Sequence, residues 1–167
     1  MCRVVRPAVR KTGARGFLGV DILLTENGAV ALDFRATFSD PEAQVILPRL
    51  KSDLFSLLQK ASQPEGIDVQ DCKIRFFDFC SHCKTVSANN FSTGLQIEGI
   101  QQAEQTEGVK VFQCNTQMEK GIKLVASGPK VLSVTCLAPS PEKAKLRTEE
   151  GAALIKLLPE NVNLIAN

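Results

Sequence analysis

The chain has 167 residues, 44% of them apolar and 23% charged, with a net charge of +2. These values describe a soluble globular chain of one domain, or of one small domain plus part of another, and leave no charge excess that would argue for a nucleic-acid partner. No apolar run approaches the roughly 20 residues of a membrane span.

Residues 1–15 hold Arg3, Arg6, Arg10, Lys11 and Arg15, with no acid before Asp21. Arg-rich, acid-poor segments can be transit peptides, but Pro7, Gly13 and the lack of Ser favour a solvated basic strand or loop. The start also lacks the apolar stretch of a signal peptide. Six cysteines (Cys2, Cys72, Cys80, Cys83, Cys114, Cys136) are scattered along the chain. Without a secretory signal, the expectation is reduced thiols in the cytoplasm.

Gly16–Leu24 and Ala29–Arg35 are apolar runs of strand length, joined by Thr25-Glu26-Asn27-Gly28. Asn-Gly supplies positive φ values for a tight turn, so this is a predicted antiparallel hairpin. Ser39-Asp40-Pro41-Glu42 has capping-box spacing, with Pro41 suited to a first helical position. A short helix is predicted from Pro41 to about Leu47, stopping before Pro48. Ser52 is the expected cap of a second helix carrying Leu54, Leu57, Leu58 and Ala61 at helical spacing. Gln63-Pro64-Glu65-Gly66 ends it and marks the expected boundary between a first part, 1–63, and a second, 67–167.

The second part is β-rich. Ile74–Phe79, Leu95–Ile97, Val109–Phe112, Ile122–Val125 and Lys130–Cys136 read as strands between turn signals. Ser140-Pro141 then opens a helix expected to reach about Leu158, with Ala144, Leu146, Ala152, Ala153, Ile155 and Leu157 as core candidates.

The run Asp33-Phe-Arg-Ala-Thr-Phe-Ser-Asp-Pro-Glu-Ala-Gln44, followed by Val45-Ile-Leu-Pro48 and Lys51-Ser-Asp-Leu54, resembles one in phosphoribosylamine–glycine ligases. There the run is Glu-Phe-Asn-Cys-Arg-Phe-Gly-Asp-Pro-Glu-x-Gln. The resemblance is strong over 16–60 and weaker over 67–137. It implies an α+β fold: the end of an ATP-grasp domain (hairpin plus two helices), then a small barrel-like β-domain with a C-terminal helix. It also implies ATP and magnesium as cofactors, with glycine activated as an acyl phosphate that the amine of phosphoribosylamine attacks.

In that family Glu and Asn, two apart on the strand end, bind the magnesium. The matching positions here are Asp33 and Arg35. Asp33 keeps an oxygen ligand, whereas Arg35 has no acceptor to offer a hard cation. The expectation is that Arg35 pairs with Asp33 and that the metal site is lost. Thr37 replaces an Arg of the family run, and Ser39 replaces its Gly. Asp40, Glu42 and Lys51 are retained as nearby polar support, although helix capping and solvent exposure would account for them equally. No glycine-rich phosphate loop is present, since Gly13-Ala-Arg-Gly16 is too short.

Cys80-Ser-His-Cys83 has the spacing of a zinc half-site, with Cys72 as a further candidate ligand. A second well-spaced pair is missing, so incidental thiols at a strand end are the preferred reading over zinc. Taken together, a ligase-like portion that does not catalyse alone is expected, whose partner is a missing ligase half or a larger multifunctional chain. The alternative is a non-catalytic interaction module using the edge of the hairpin.

Overall fold

The computed structural model describes residues 11, 13, 15–63, 73–88 and 94–159. The basic residues Arg3, Arg6 and Arg10, the thiols Cys2 and Cys72, and the turn Pro64–Gly66 at the expected boundary lie outside these. The chain divides into two compact units, Met1–Ala43 with Leu50–Phe77, and Gln44–Arg49 with Asp78–Asn167.

The first unit contains the predicted hairpin, β1 (Gly19–Thr25) antiparallel to β2 (Gly28–Arg35). Gly28 takes φ of 117°, a left-handed value that glycine adopts without steric cost, and Asn27 does not share it. The Thr25 hydroxyl donates to the Gly28 carbonyl at 2.8 Å and closes the turn. Pairing shifts between Asp21 and Ile22: Ile22 faces Ala31 while Asp21 faces Asp33, leaving Leu32 as an extra residue. Such a bulge reverses the alternation of side chains along the strand.

After the hairpin, α1 covers Glu42–Ile46 and continues into a 3-10 turn, Leu47–Arg49, so the helical path runs through Pro48 instead of stopping before it. The division between the units falls inside α1. The Ala43 N–H donates to the Ser39 carbonyl at 2.9 Å. The second helix, α2 (Leu54–Ser62), is capped by Asp53, whose carboxylate accepts from the Ser56 N–H at 2.7 Å and is held below the usual aspartate range by that bond. Ser52, the expected cap, instead accepts from the Arg75 N–H at 2.8 Å. Ile74–Phe79 is not a strand; it forms a single bridge, Phe76 to Leu50. Its alternating apolar residues find no longer partner among the described residues. Every described residue of this unit remains at least partly exposed.

The second unit holds the core. Its strands are β3 (Cys80–Ser87), β4 (Gln96–Glu98), β5 (Val109–Gln113), β6 (Thr116–Glu119), β7 (Lys123–Ala126), β8 (Lys130–Ala138) and β9 (Lys156–Leu158). They form two antiparallel sheets, ordered β3-β8-β5 and β6-β7-β4-β9. The central strand β8 is buried over Val131–Cys136, as expected of a strand covered on both faces. A short helix α3 (Ile100–Glu104) precedes β5, and α4 (Pro141–Leu154) follows β8.

Helix α4 begins as the sequence predicts, with the Ser140 hydroxyl accepting from the Lys143 N–H at 3.3 Å and Pro141 in the first turn. It ends at Leu154, and the expected last turn is strand β9. Its buried stripe is Ala144, Thr148 and Gly151, while Leu146 is exposed. Small residues here let the helix lie close to the sheet. A Cβ on Gly151 would stand 3.2 Å from Val109 and 3.4 Å from Val134 side-chain atoms. Thr148 satisfies its buried hydroxyl by donating to the Ala144 carbonyl at 2.7 Å or the His82 carbonyl at 3.2 Å.

Candidate functional site

Asp33 and Arg35 sit near the end of β2, two residues apart, so strand alternation places both on one face. The bulge brings Asp21 onto the same face. Counted back from the turn without it, Asp21 would oppose Leu32 and point the other way; with it, Asp21 opposes Asp33. Arg35 then reaches diagonally across the hairpin. Its Nη2 donates to Asp21 Oδ1 at 2.7 Å and to Glu42 Oε1 at 3.2 Å, and its Nη1 donates to the Ser39 hydroxyl at 2.6 Å.

The expected partner of Arg35 was Asp33, and the structure places the guanidinium elsewhere. Asp33 Oδ1 accepts from the N–H of its own neighbour Phe34 at 2.8 Å, while the long Arg35 side chain extends to Asp21 and the start of α1. The hydrogen bond and charge of Asp21 push Arg35 further above its already high value, with Glu42 adding to the effect. Arg35 Nε is buried with no acceptor.

The same contacts account for the missing capping box. Ser39 and Glu42 have the right spacing, but both side chains serve Arg35 instead of bonding each other's backbone N–H. Asp40 precedes Pro41 at this helix start. Lys51, the other expected supporting residue, is not gathered here. Its N–H donates to the Arg75 carbonyl at 2.9 Å, and its ammonium lies 5.8 Å from the Phe77 ring centroid. Asp21 and the role of Ser39 were not foreseen. The bulge that turns Asp21 onto the shared face leaves no local sequence signal.

These residues do not fit a magnesium ion. Such an ion needs several oxygen donors in near-octahedral order. Here a guanidinium, with five N–H donors and no acceptor, stands among the available carboxylates and engages two of them. Among the described residues no group of three or more His, Cys, Asp or Glu is arranged to hold a metal.

Around Cys80–Cys83, β3 alternation puts Cys80 and His82 on one face and Cys83 on the other. His82 faces Cys136 across the sheet, and Cys83 faces Thr135. The Cys136 thiol is buried, and burial pushes its pKa up. This separation puts the paired thiols of the Cys-x-x-Cys spacing on opposite sides of a sheet; Cys72 lies outside the described residues.

No protein-family model matches the chain. Individual proteins do. The bovine (Bos taurus) trifunctional purine biosynthetic protein adenosine-3 is 36% identical over 146 residues, covering 84% of this chain and 14% of that protein. The phosphoribosylamine–glycine ligase of Rhodopirellula baltica is 32% identical over 146 residues, covering 85% of this chain and 33% of the ligase. That of Brucella melitensis is 29% identical over 164 residues, covering 93% and 38%. The chain therefore spans well under half the length of the relatives it matches.

Among solved structures, the phosphoribosylamine–glycine ligase of Thermotoga maritima superimposes with a TM-score of 0.71 at 21% identity, over 89% of this chain and 37% of the ligase. N5-carboxyaminoimidazole ribonucleotide synthetase from the same organism gives 0.66 at 12% identity, over 95% of this chain and 41% of the synthetase. The L-amino acid ligase of Bacillus licheniformis gives 0.67 at 18% identity, over 95% and 40%. The chain is a divergent relative of the phosphoribosylamine–glycine ligases, similar to part of their length and with the ATP-grasp ligase fold over that part.

Proposed function

We propose that this chain represents the C-terminal portion of a phosphoribosylamine–glycine ligase and does not by itself join glycine to phosphoribosylamine. The observation that carries this reading is Arg35. Its charge is committed to Asp21 and Glu42 on the face that holds Asp33, so the donor set is unsuited to a divalent cation. The limited share of the ligases that it spans supports the same reading. ATP and magnesium are then handled by residues other than these, and the contribution of this chain is structural.

A second reading, a non-catalytic interaction module, is favoured by the hairpin. Leu23, Leu24, Val30, Leu32 and Phe34 are all exposed there, on a sheet of two strands. An isolated two-stranded hairpin is marginally stable in water, and apolar side chains on both of its faces suit a larger sheet or a partner surface.

The test measures glycine- and phosphoribosylamine-dependent ADP formation by the purified chain with magnesium and ATP, beside a bacterial phosphoribosylamine–glycine ligase as positive control. The chain should give only the background rate. Turnover that depends on both substrates would overturn the proposal. The second reading is tested by a Leu24→Lys, Leu32→Lys variant mixed with the remaining portion of a bacterial ligase. Co-elution on size exclusion should occur with the natural chain and be lost in the variant; its absence in both would remove that reading.

A further inference from the structure

We propose that Arg35 is a built-in cation that ties the hairpin to the start of α1 without any divalent ion.

The geometry supports a cross-link made by a cation fixed to the chain. Asp21 lies on β1, Asp33 and Arg35 on β2, and Glu42 opens α1. Asp21 and Asp33 face each other across the hairpin, an arrangement of like charges that is unfavourable unless something positive stands beside it. A metal ion could be that charge, and so could a guanidinium fixed to the chain. The Arg35 side chain spans Asp21 at 2.7 Å, Ser39 at 2.6 Å and Glu42 at 3.2 Å, connecting two elements as a shared ligand set would. Three differences follow from the chemistry. The guanidinium donates hydrogen bonds where an ion accepts lone pairs, its charge is present at any ion concentration, and chelators cannot remove it. Joining the hairpin to α1 is therefore independent of divalent metal. This holds whether or not the chain operates within a larger ligase.

The experiment uses the full chain, with Mn2+ followed by electron paramagnetic resonance and melting followed by far-UV circular dichroism in EDTA or in magnesium. The natural chain should leave the aquo-Mn2+ signal undiminished and melt identically in both buffers. A bound Mn2+ fraction, or a melting point that falls in EDTA, would overturn the proposal. Arg35→Met leaves the carboxylates uncompensated. It should melt about 5 °C lower, by the same amount in EDTA and in magnesium. A variant that melts like the natural chain would also overturn it. If Arg35→Met fails to fold, adding Asp21→Asn removes one of the opposed charges and should restore folding in EDTA. A double variant no better than the single one would again count against the proposal.

Discussion

Gly108 and Gly121 offer a matched pair for separating backbone strain from steric clash. Both have left-handed φ, 79° and 70°. A side chain in that region costs roughly 1–2 kcal/mol at either position. The entropy that Gly→Ala removes from the unfolded chain is common to both and cancels. Their surroundings differ. A Cβ on Gly121 meets nothing within 4 Å, whereas on Gly108 it would lie 2.2 Å from the Leu137 carbonyl oxygen and 3.3 Å from its carbon. That contact cannot be relieved by a rotamer change, because the obstacle is the β8 backbone. It must move, and the Leu137 N–H that donates to the Gly108 carbonyl at 3.0 Å moves with it. Weakening that bond adds about 0.5–1.5 kcal/mol. Gly108→Ala should thus be less stable than Gly121→Ala by about 1 kcal/mol or more. For a unit of this size that corresponds to roughly 4–8 °C in melting temperature. The chain has no Trp or Tyr, so urea and thermal unfolding are best followed by far-UV circular dichroism. Equal stability of the two variants would refute the clash and the tight β5–β8 approach from which it derives.

Leu132 is fully buried in β8, so Leu132→Ala should cost about 2–5 kcal/mol, measured by urea unfolding. Glu149 is held below the usual glutamate range, chiefly by its hydrogen bond from Lys84. A carboxylate lowered on folding contributes stability above its unfolded value and loses it as pH falls through the folded one. Lys84→Met should therefore lower stability at neutral pH and flatten the acid side of the stability profile. Identical profiles would remove the pairing. Cys136, buried and with a raised pKa, should resist iodoacetamide in the folded chain while the partly exposed Cys80 and Cys83 are modified. Peptide mass mapping after labelling distinguishes them.

Much of the fold was legible where local chemistry is decisive. Asn27-Gly28 marked the hairpin, and Ser140-Pro141 marked the start of α4. The alternating strands β5, β7 and β8 carried their own pattern. The failures have physical causes. Ile74–Phe79 has strand composition but pairs only at Phe76, whereas the polar Cys80–Ser87 becomes a strand through its long pairing with β8. Tertiary context outweighed β-propensity in both. On α4 the large apolar Leu146 suggested a core position, yet close packing selected Ala144, Thr148 and Gly151. At the candidate site, the departure at Arg35 was readable from the sequence. Its actual partners were not, because an extra residue at Leu32 determines which face Asp21 occupies.

On the proposed reading this chain, whose Arg35 guanidinium engages Asp21 and Glu42, does not assemble a magnesium–nucleotide site by itself. Calorimetric titration of the purified chain with magnesium–ATP tests it most directly, with a bacterial phosphoribosylamine–glycine ligase titrated in the same buffer as control. The expected result is heat of dilution only for the chain and a saturable isotherm for the ligase. A saturable isotherm for the chain, near one nucleotide per chain and lost when magnesium is withheld, would overturn the proposed function.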